Sequence, residues 1–201
     1  SQSEELVIIH NGIIENYSVL KQGLAENGFT FQSETDTEVL IQLIEFMKES
    51  NDVDLPTAVQ LALNEVVGAY AIAVIDKNNP DLIVAARKGS PLVVGIGDDE
   101  FFIGSDATPI VEYTNKVVYI GEEEIVTLER NQLLKIKTIG NVEKSPEIKK
   151  LELTLSQLEK GGYPHFMLKE IFEQPRTLAD SMKGRVNVDS NNITLAGFID
   201  N

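Results

Sequence analysis

The sequence contains no cysteine. That excludes a disulfide frame, a thiolate metal site and a thiol nucleophile within these 201 residues. It agrees with a reducing compartment, and the cytoplasm is the expected location. Tryptophan is absent as well, and histidine occurs twice, at His10 and His165. Two histidines so far apart offer none of the closely spaced ligands of a metal cluster, so neither a metal nor another cofactor is expected. No apolar run approaches the ~20 residues of a membrane span. No basic and apolar leader pattern opens the chain, and no membrane partner is expected. Positive charge is scarce: 17 Lys and Arg stand against 32 Asp and Glu, a net charge of −15. Binding a phosphate backbone needs a basic face, so the balance argues against a nucleic-acid partner. The acid is spread along the chain and reads as a solvated surface.

Apolar residues, in contrast, make up 42% of the chain, enough for one core and a small appendage. Leu6 to Ile9 run unbroken into His10-Asn11-Gly12, as a strand buried on both faces would, and Asn-Gly can leave a strand sharply. Tyr17, Leu20 and Leu24 repeat at helical spacing and stop at Asn27-Gly28. Phe29 to Phe31 has room for a short strand. Thr35 and Glu38 fit a capping box, opening a helix to about Glu49. A further helix begins near Asp52 to Pro56 and carries Val59, Leu63 and Val66 on one face. After Gly68 the period changes to that of strands: Ala69 to Asp76, Leu82 to Arg87, Leu92 to Ile96 and Phe101 to Ser105. Asp106 to Tyr113 reads as a short helix, and Val117–Ile120, Ile125–Leu128 and Leu133–Ile136 as a meander. Three helices followed by hairpin-linked strands predict an α+β domain with a largely antiparallel sheet. Residues 140–160 are polar and charged, placing a domain edge or long loop there. Phe166 to Met182 predicts a helix interrupted at Pro175, and residues 184–201 a connecting segment.

Three places can carry chemistry. Asn11 has a side-chain NH2 and Gly12 an uncrowded backbone N–H; together they can form an oxyanion hole, although an ordinary Asn-Gly turn uses the same residues. Asp36, in the first turn of a helix, is either a helix-dipole acid or a carboxylate that pairs with a ligand ammonium. Gly89-Ser90-Pro91-Leu92 lacks the spacing of a phosphate loop and reads as a turn. Ser1 is a fourth possibility, since a terminal Ser can be nucleophile and base at once. If the intervening residues are extended, however, it stands up to about 33 Å from Asn11 at ~3.3 Å per residue, and it is rejected.

Five segments, taken in chain order, resemble the glutamine–fructose-6-phosphate aminotransferase family (the glucosamine-6-phosphate synthases). They are His10-Asn11-Gly12-Ile13-Ile14-Glu15-Asn16, Ser33-Glu34-Thr35-Asp36-Thr37-Glu38, Gly68-Ala69-Tyr70-Ala71, Gly89-Ser90-Pro91-Leu92 and Lys169-Glu170-Ile171-Phe172-Glu173-Gln174-Pro175. The resemblance runs from about Leu6 to Arg185. It implies a class II glutamine amidotransferase domain with the four-layer αββα sandwich of the N-terminal-nucleophile hydrolases. In that family the domain hydrolyses glutamine to glutamate and ammonia. A C-terminal isomerase domain, not present in this chain, uses the ammonia to turn fructose 6-phosphate into glucosamine 6-phosphate. Glutamine and that isomerase domain are the implied partners, in a homo-oligomeric parent. By this resemblance Asn11 (side chain) and Gly12 (backbone N–H) correspond to the oxyanion hole, and Asp36 to the carboxylate that holds the α-amino group of glutamine.

The departures from the family are as specific. Its nucleophile is an N-terminal Cys, and it has an Arg-Trp-x-Thr-His segment upstream of His-Asn-Gly; this chain has neither. The resemblance therefore implies an N-terminally truncated piece. Residues 1–160 would be a partial glutaminase domain, residues 161–201 a C-terminal helix and the start of a linker, and the chain inactive alone. Asparagine synthetase and the amidophosphoribosyltransferase of purine synthesis also carry an Asn-Gly and a downstream Asp-x-Glu. His10 before Asn11, Gly89 to Leu92 and Glu170 to Pro175 favour the first family over these. A non-catalytic regulatory module with the same fold is the other alternative.

Overall fold

The computed structural model describes residues 1–151, 162–182, 186–187 and 192–193. Contacts divide the chain into two units, Ser1–Glu152 and Leu153–Asn201. In the first unit β1 (Leu6–Ile14) precedes α1 (Tyr17–Glu26), α2 (Asp36–Asn51) and α3 (Leu55–Glu65). Eight strands follow the helices: β2 (Gly68–Asp76), β3 (Asn79–Lys88), β4 (Val93–Ile96), β5 (Phe101–Gly104), β6 (Lys116–Tyr119), β7 (Glu124–Glu129), β8 (Lys135–Thr138) and β9 (Glu143–Lys144). The short β10 (Lys149–Lys150) ends the unit. Six strands form one sheet in the order β1-β2-β3-β7-β8-β9, and four form a second in the order β10-β6-β4-β5. Their ladders are antiparallel.

The helices start and stop for local reasons. Thr35 caps α2 by accepting the Glu38 N–H at 3.3 Å. In a full capping box the Glu38 carboxylate would return to the Thr35 amide. It instead accepts the N–H groups of Gln32 at 2.7 Å and Ser33 at 2.6 Å, so it organises the loop ahead of the helix. Asp54 caps α3 by accepting the Thr57 N–H at 3.0 Å, and Pro56 sits in the first turn, where no amide is needed. From Val39 to Glu45 every residue of α2 is buried, because the helix touches α1, α3 and β1 at once.

Helices α1 to α3 cover one face of the six-stranded sheet. Leu40, Ile44, Val59 and Leu63 pack there on Ile14, Tyr70, Ile72, Val74 and Val84. Burying each such aliphatic side chain is worth about 1.5–3 kcal/mol. The opposite face presents Ala71, Ala85, Val126 and Ile136 to Leu92, Val94, Val118 and Ile120 of the second sheet side. The outer face of the four-stranded sheet is closed by Ala107 and Ile110 against Val93 and Val117. The result is the α+β sandwich of antiparallel sheets expected for an N-terminal-nucleophile hydrolase fold.

Several expectations need correction. β1 is not buried on both faces: it is an edge strand, and Val7, Ile9 and Ile13 are 63%, 74% and 68% exposed. The second sheet packs on the inner strands and does not extend over it. Phe29 to Phe31 forms no strand; Phe29 stacks edge-on against Phe46, and Thr30 is bonded to the Gln2 side chain. Residues 106–113 form successive turns, not a helix. The predicted meander is split, β6 pairing with β4 in one sheet while β7 and β8 join the other. Of residues 140–160, expected to hold a domain edge or long loop, 143–144 and 149–150 are short strands, the division between the two units falls after Glu152, and residues 152–160 lie outside those described.

In the second unit, α4 (Phe166–Met182) runs through Pro175 without the predicted interruption. Its Phe166, Met167, Ile171, Phe172 and Leu178 are exposed. β11 (Val186–Asn187) pairs with β12 (Asn192–Ile193). The rest of the predicted connecting segment, residues 184–201, lies outside those described. Among the described residues no helix is long and apolar enough to cross a membrane.

Candidate active site

Gly12 does not end its strand. It pairs with Tyr70 inside β1, with φ at +147°. A Cβ there would lie 2.1 Å from the Ala69 carbonyl oxygen, so only glycine lets the two strands approach so closely. The contact is reciprocated: Gly68, with φ +146°, gives its Cβ space to the Ile13 carbonyl oxygen at 2.2 Å. Two glycines thus draw β1 and β2 together where a turn was predicted.

An edge strand has alternate amides aimed away from its partner. The Leu6 N–H donates to Ser1 Oγ at 3.1 Å and the Ile14 N–H to Asp36 Oδ2 at 2.8 Å, both outside the sheet. The alternation puts the Gly12 N–H on the same open side. Asn11 is exposed, and the pleat sends its side chain to the face opposite that of His10.

Asp36 is the first residue of α2, where the helix dipole favours a negative charge. Besides the Ile14 amide on Oδ2, its Oδ1 lies 3.5 Å from the donating Thr37 hydroxyl and 4.0 Å from His10 Nδ1. The carboxylate is 23% exposed and keeps acceptor capacity for a ligand. Asp36 therefore stands between His10 and Ile14, the two residues that bracket Asn11, Gly12 and Ile13 on β1. The Gly12 N–H and the Asp36 carboxylate lie along the open edge of β1, and the Asn11 side chain on its exposed face. Donors and a carboxylate along one strand suit a molecule with an ammonium at one end and a polarisable carbonyl at the other.

The sequence did not single out the contact between His10 and Thr37. His10 Nδ1 lies 2.9 Å from Thr37 Oγ1, and the His10 side chain is 2% exposed. Burial pushes the pKa of the ring below the ordinary 6.5, against the opposing pull of the Asp36 charge. A gap of 27 positions carries no spacing signal. The one available clue was the strand alternation, which places His10 on the same face as the core residue Ile14.

The remaining candidates are engaged elsewhere. The Gly89 amide donates to Glu122 Oε2 at 2.8 Å, Arg87 binds the same carboxylate and the Ile120 carbonyl, and Lys88 pairs with Glu123 at 2.7 Å. The loop's cationic and amide groups are thus held by the protein's own acids, as a structural turn requires. Ser1 is not at the end of an extended lead-in. A turn with Glu4 at φ 60° folds it back, so its amine donates to the Leu6 carbonyl at 3.0 Å. From Leu6 to Gly12 β1 still runs about 20 Å at ~3.4 Å per residue.

Known proteins resemble this chain in sequence and in fold. A family described as "Glutamine amidotransferase domain" matches residues 1–112. The glutamine–fructose-6-phosphate aminotransferase [isomerizing] of Bacteroides thetaiotaomicron is 66% identical over 200 residues, covering 100% of this chain and 33% of its own length. That of Chlorobaculum tepidum is 52% identical over 199 residues, covering 98% and 32%. The chain thus spans about a third of the length of these curated relatives. Among solved structures, the glutamine phosphoribosylpyrophosphate amidotransferase of B. subtilis, complexed with ADP and GMP, superimposes with a TM-score of 0.58 at 27% identity, over 69% of this chain and 30% of that one.

Proposed function

Since the chain belongs to the glutamine amidotransferase domain family, we propose that its site binds glutamine, in a complete protein that converts fructose 6-phosphate to glucosamine 6-phosphate with the ammonia released. The observation that supports the reading is the place of Asp36, fixed by the Ile14 amide at 2.8 Å and beside His10, the two residues that bracket Asn11 and Gly12 on β1. Asp36 holds the α-ammonium of glutamine. Attack on the side-chain amide carbon pushes charge onto its oxygen, which the Asn11 NH2 and the Gly12 N–H stabilise as the tetrahedral intermediate forms. Ammonia leaves, and water hydrolyses the acyl intermediate to glutamate.

The attacking group is not among these residues. The chain has no thiol, and Ser1 lies at the far end of β1. The nucleophile comes from the rest of the complete protein, for which the resemblance supplies an N-terminal Cys. Oxyanion donors stabilise only charge that an attacking group creates, so this chain alone releases no ammonia. The 66% identity to an aminotransferase of this specificity, against 27% to the phosphoribosylpyrophosphate enzyme, favours the hexosamine reaction.

Ammonia release from glutamine is the test, measured on the complete protein and on the 201-residue chain. Activity is expected only in the complete protein. Asn11→Ala should lower its kcat by about 10²–10³-fold, and Asp36→Ala should raise its KM for glutamine. Equal rates from the two proteins would sink the reading and return attention to Ser1.

A further inference from the structure

His10 and Thr37 belong to no step of that reaction, yet both adjoin the carboxylate it depends on. The His10 side chain is 2% exposed; its Nδ1 meets Thr37 Oγ1 at 2.9 Å, and its Nε2 is buried with no hydrogen-bond partner among the described residues. This arrangement decides the tautomer. An orphaned buried N–H is rarer and costlier than an orphaned lone pair, so the proton belongs on Nδ1 and the bare lone pair on Nε2. His10 Nδ1–H then donates to Thr37, whose oxygen is occupied as an acceptor and whose single proton is left for Asp36 Oδ1 at 3.5 Å. Meanwhile the Ile14 N–H holds Oδ2 at 2.8 Å.

The geometry points to His10 and Thr37 as positioning residues for Asp36: a one-way chain of donors, imidazole to hydroxyl to carboxylate, that fixes the plane in which Asp36 receives the ammonium of an amino acid. The inference rests on the glutamine reading above. Neither residue touches the substrate. Without the imidazole the Thr37 hydroxyl is free to rotate toward other acceptors. Asp36 is then held at one oxygen instead of two, and some of its binding geometry is lost. A neutral ring is needed, because an imidazolium has no bare nitrogen and would bury an unpaired N–H at Nε2. Burial lowers the pKa of His10 below 6.5, in keeping with this; among the described residues the ionisable group beside it is Asp36 of α2, while Ile72, its register partner on β2, is apolar.

Two measurements test the chain of donors. Long-range 1H–15N correlation spectra of this chain resolve its two histidines, with His165→Asn identifying His10. The expected pattern at pH 7 is a protonated Nδ1 and a bare Nε2, with that single tautomer lost in Thr37→Val. A protonated Nε2 in the parent chain overturns the proposal. In the complete protein, Thr37→Val and His10→Leu should each raise the KM for glutamine about tenfold with kcat within about threefold, as loss of uniform binding does. The double variant should be no worse than either single one. His10→Asn, which keeps a donor near the Nδ1 position, should stay within about threefold of the parent. Additive effects, or an Asn variant as impaired as the Leu variant, overturn it. Asp36→Ala in the same assay separates the two levels. If its KM is raised while that of Thr37→Val is unchanged, only the positioning role fails. An unchanged KM in Asp36→Ala removes the glutamine reading and the positioning role together.

Discussion

At the scale of the residue, the site depends on missing Cβ atoms as much as on functional groups. A methyl at Gly12 would sit 2.1 Å from the Ala69 carbonyl oxygen, at a φ of +147° that side chains rarely adopt. Neither strand can shift without breaking the ladder that both share. Gly12→Ala is therefore expected to destabilise the chain by about 3 kcal/mol or more, lowering the thermal midpoint by roughly 6–12 °C. Gly23, inside α1, is the control: a methyl there would meet nothing within 4 Å among the described residues. Gly23→Ala should raise stability by about 0.5–1 kcal/mol. Equal midpoints for the two variants would refute the close-approach argument. Asn11 and Gly12 were legible in the sequence as a pair of donors, but not the reason for the glycine. The sequence pattern implied a turn, whereas the space is needed for a carbonyl 57 positions downstream.

At the scale of the element, β1 shows how an unbroken apolar run can mislead. Leu6 to Ile9 read as doubly buried, yet among the described residues the strand has a neighbour on one side and a cover on one face. Its even positions meet the helices and its odd positions meet solvent. Ile14 is 0% exposed and Ile9 is 74% exposed. Ile14→Ala should cost about 2–5 kcal/mol, while Ile9→Thr should stay within about 0.5 kcal/mol; denaturant melts of the two variants check the contrast. The helices were more legible, because their signals are local: Thr35, Asp54 and Pro56 set starts that needed no tertiary information. Strand partnership was not legible. β6, β7 and β8 look alike in sequence, and only packing decides that the first joins β4 while the others extend the larger sheet.

At the scale of the whole molecule, stability should fall as acid is added. Burial raises the pKa of Glu45, but hydrogen bonds from Ser1 and Ser3 outweigh it and hold the carboxyl below the ordinary 4.5. Burial likewise raises the pKa of Asp76, and Lys48, at 2.5 Å, and the Asn78 amide bring it below 3.8. His10 is held below 6.5 by burial. Each group binds its proton less readily folded than unfolded. Each therefore contributes stability that is complete above its unfolded value and is lost as pH drops through its folded one. Thermal midpoints are expected to begin falling below about pH 6.5 as His10 charges, and to fall more steeply below about 4.5. Glu45→Gln should flatten the second stage; a midpoint curve parallel to that of the parent would show that Glu45 does not contribute. Glu45 also ties α2 to the turn before β1, accepting the Gln2 N–H at 3.0 Å and the Ser3 hydroxyl at 2.5 Å.

That turn and Asp36 have a joint consequence for how the molecule meets other chains. A bare sheet edge is a template on which any passing strand can build. Here Ser1 takes both main-chain groups of Leu6, and Asp36 takes the amide of Ile14. The template is stoppered at either end. What is left between them, from Ile8 to Gly12, is about 14 Å of backbone at ~3.4 Å per residue. That is too short to seed a fibril, and long enough for one amino acid.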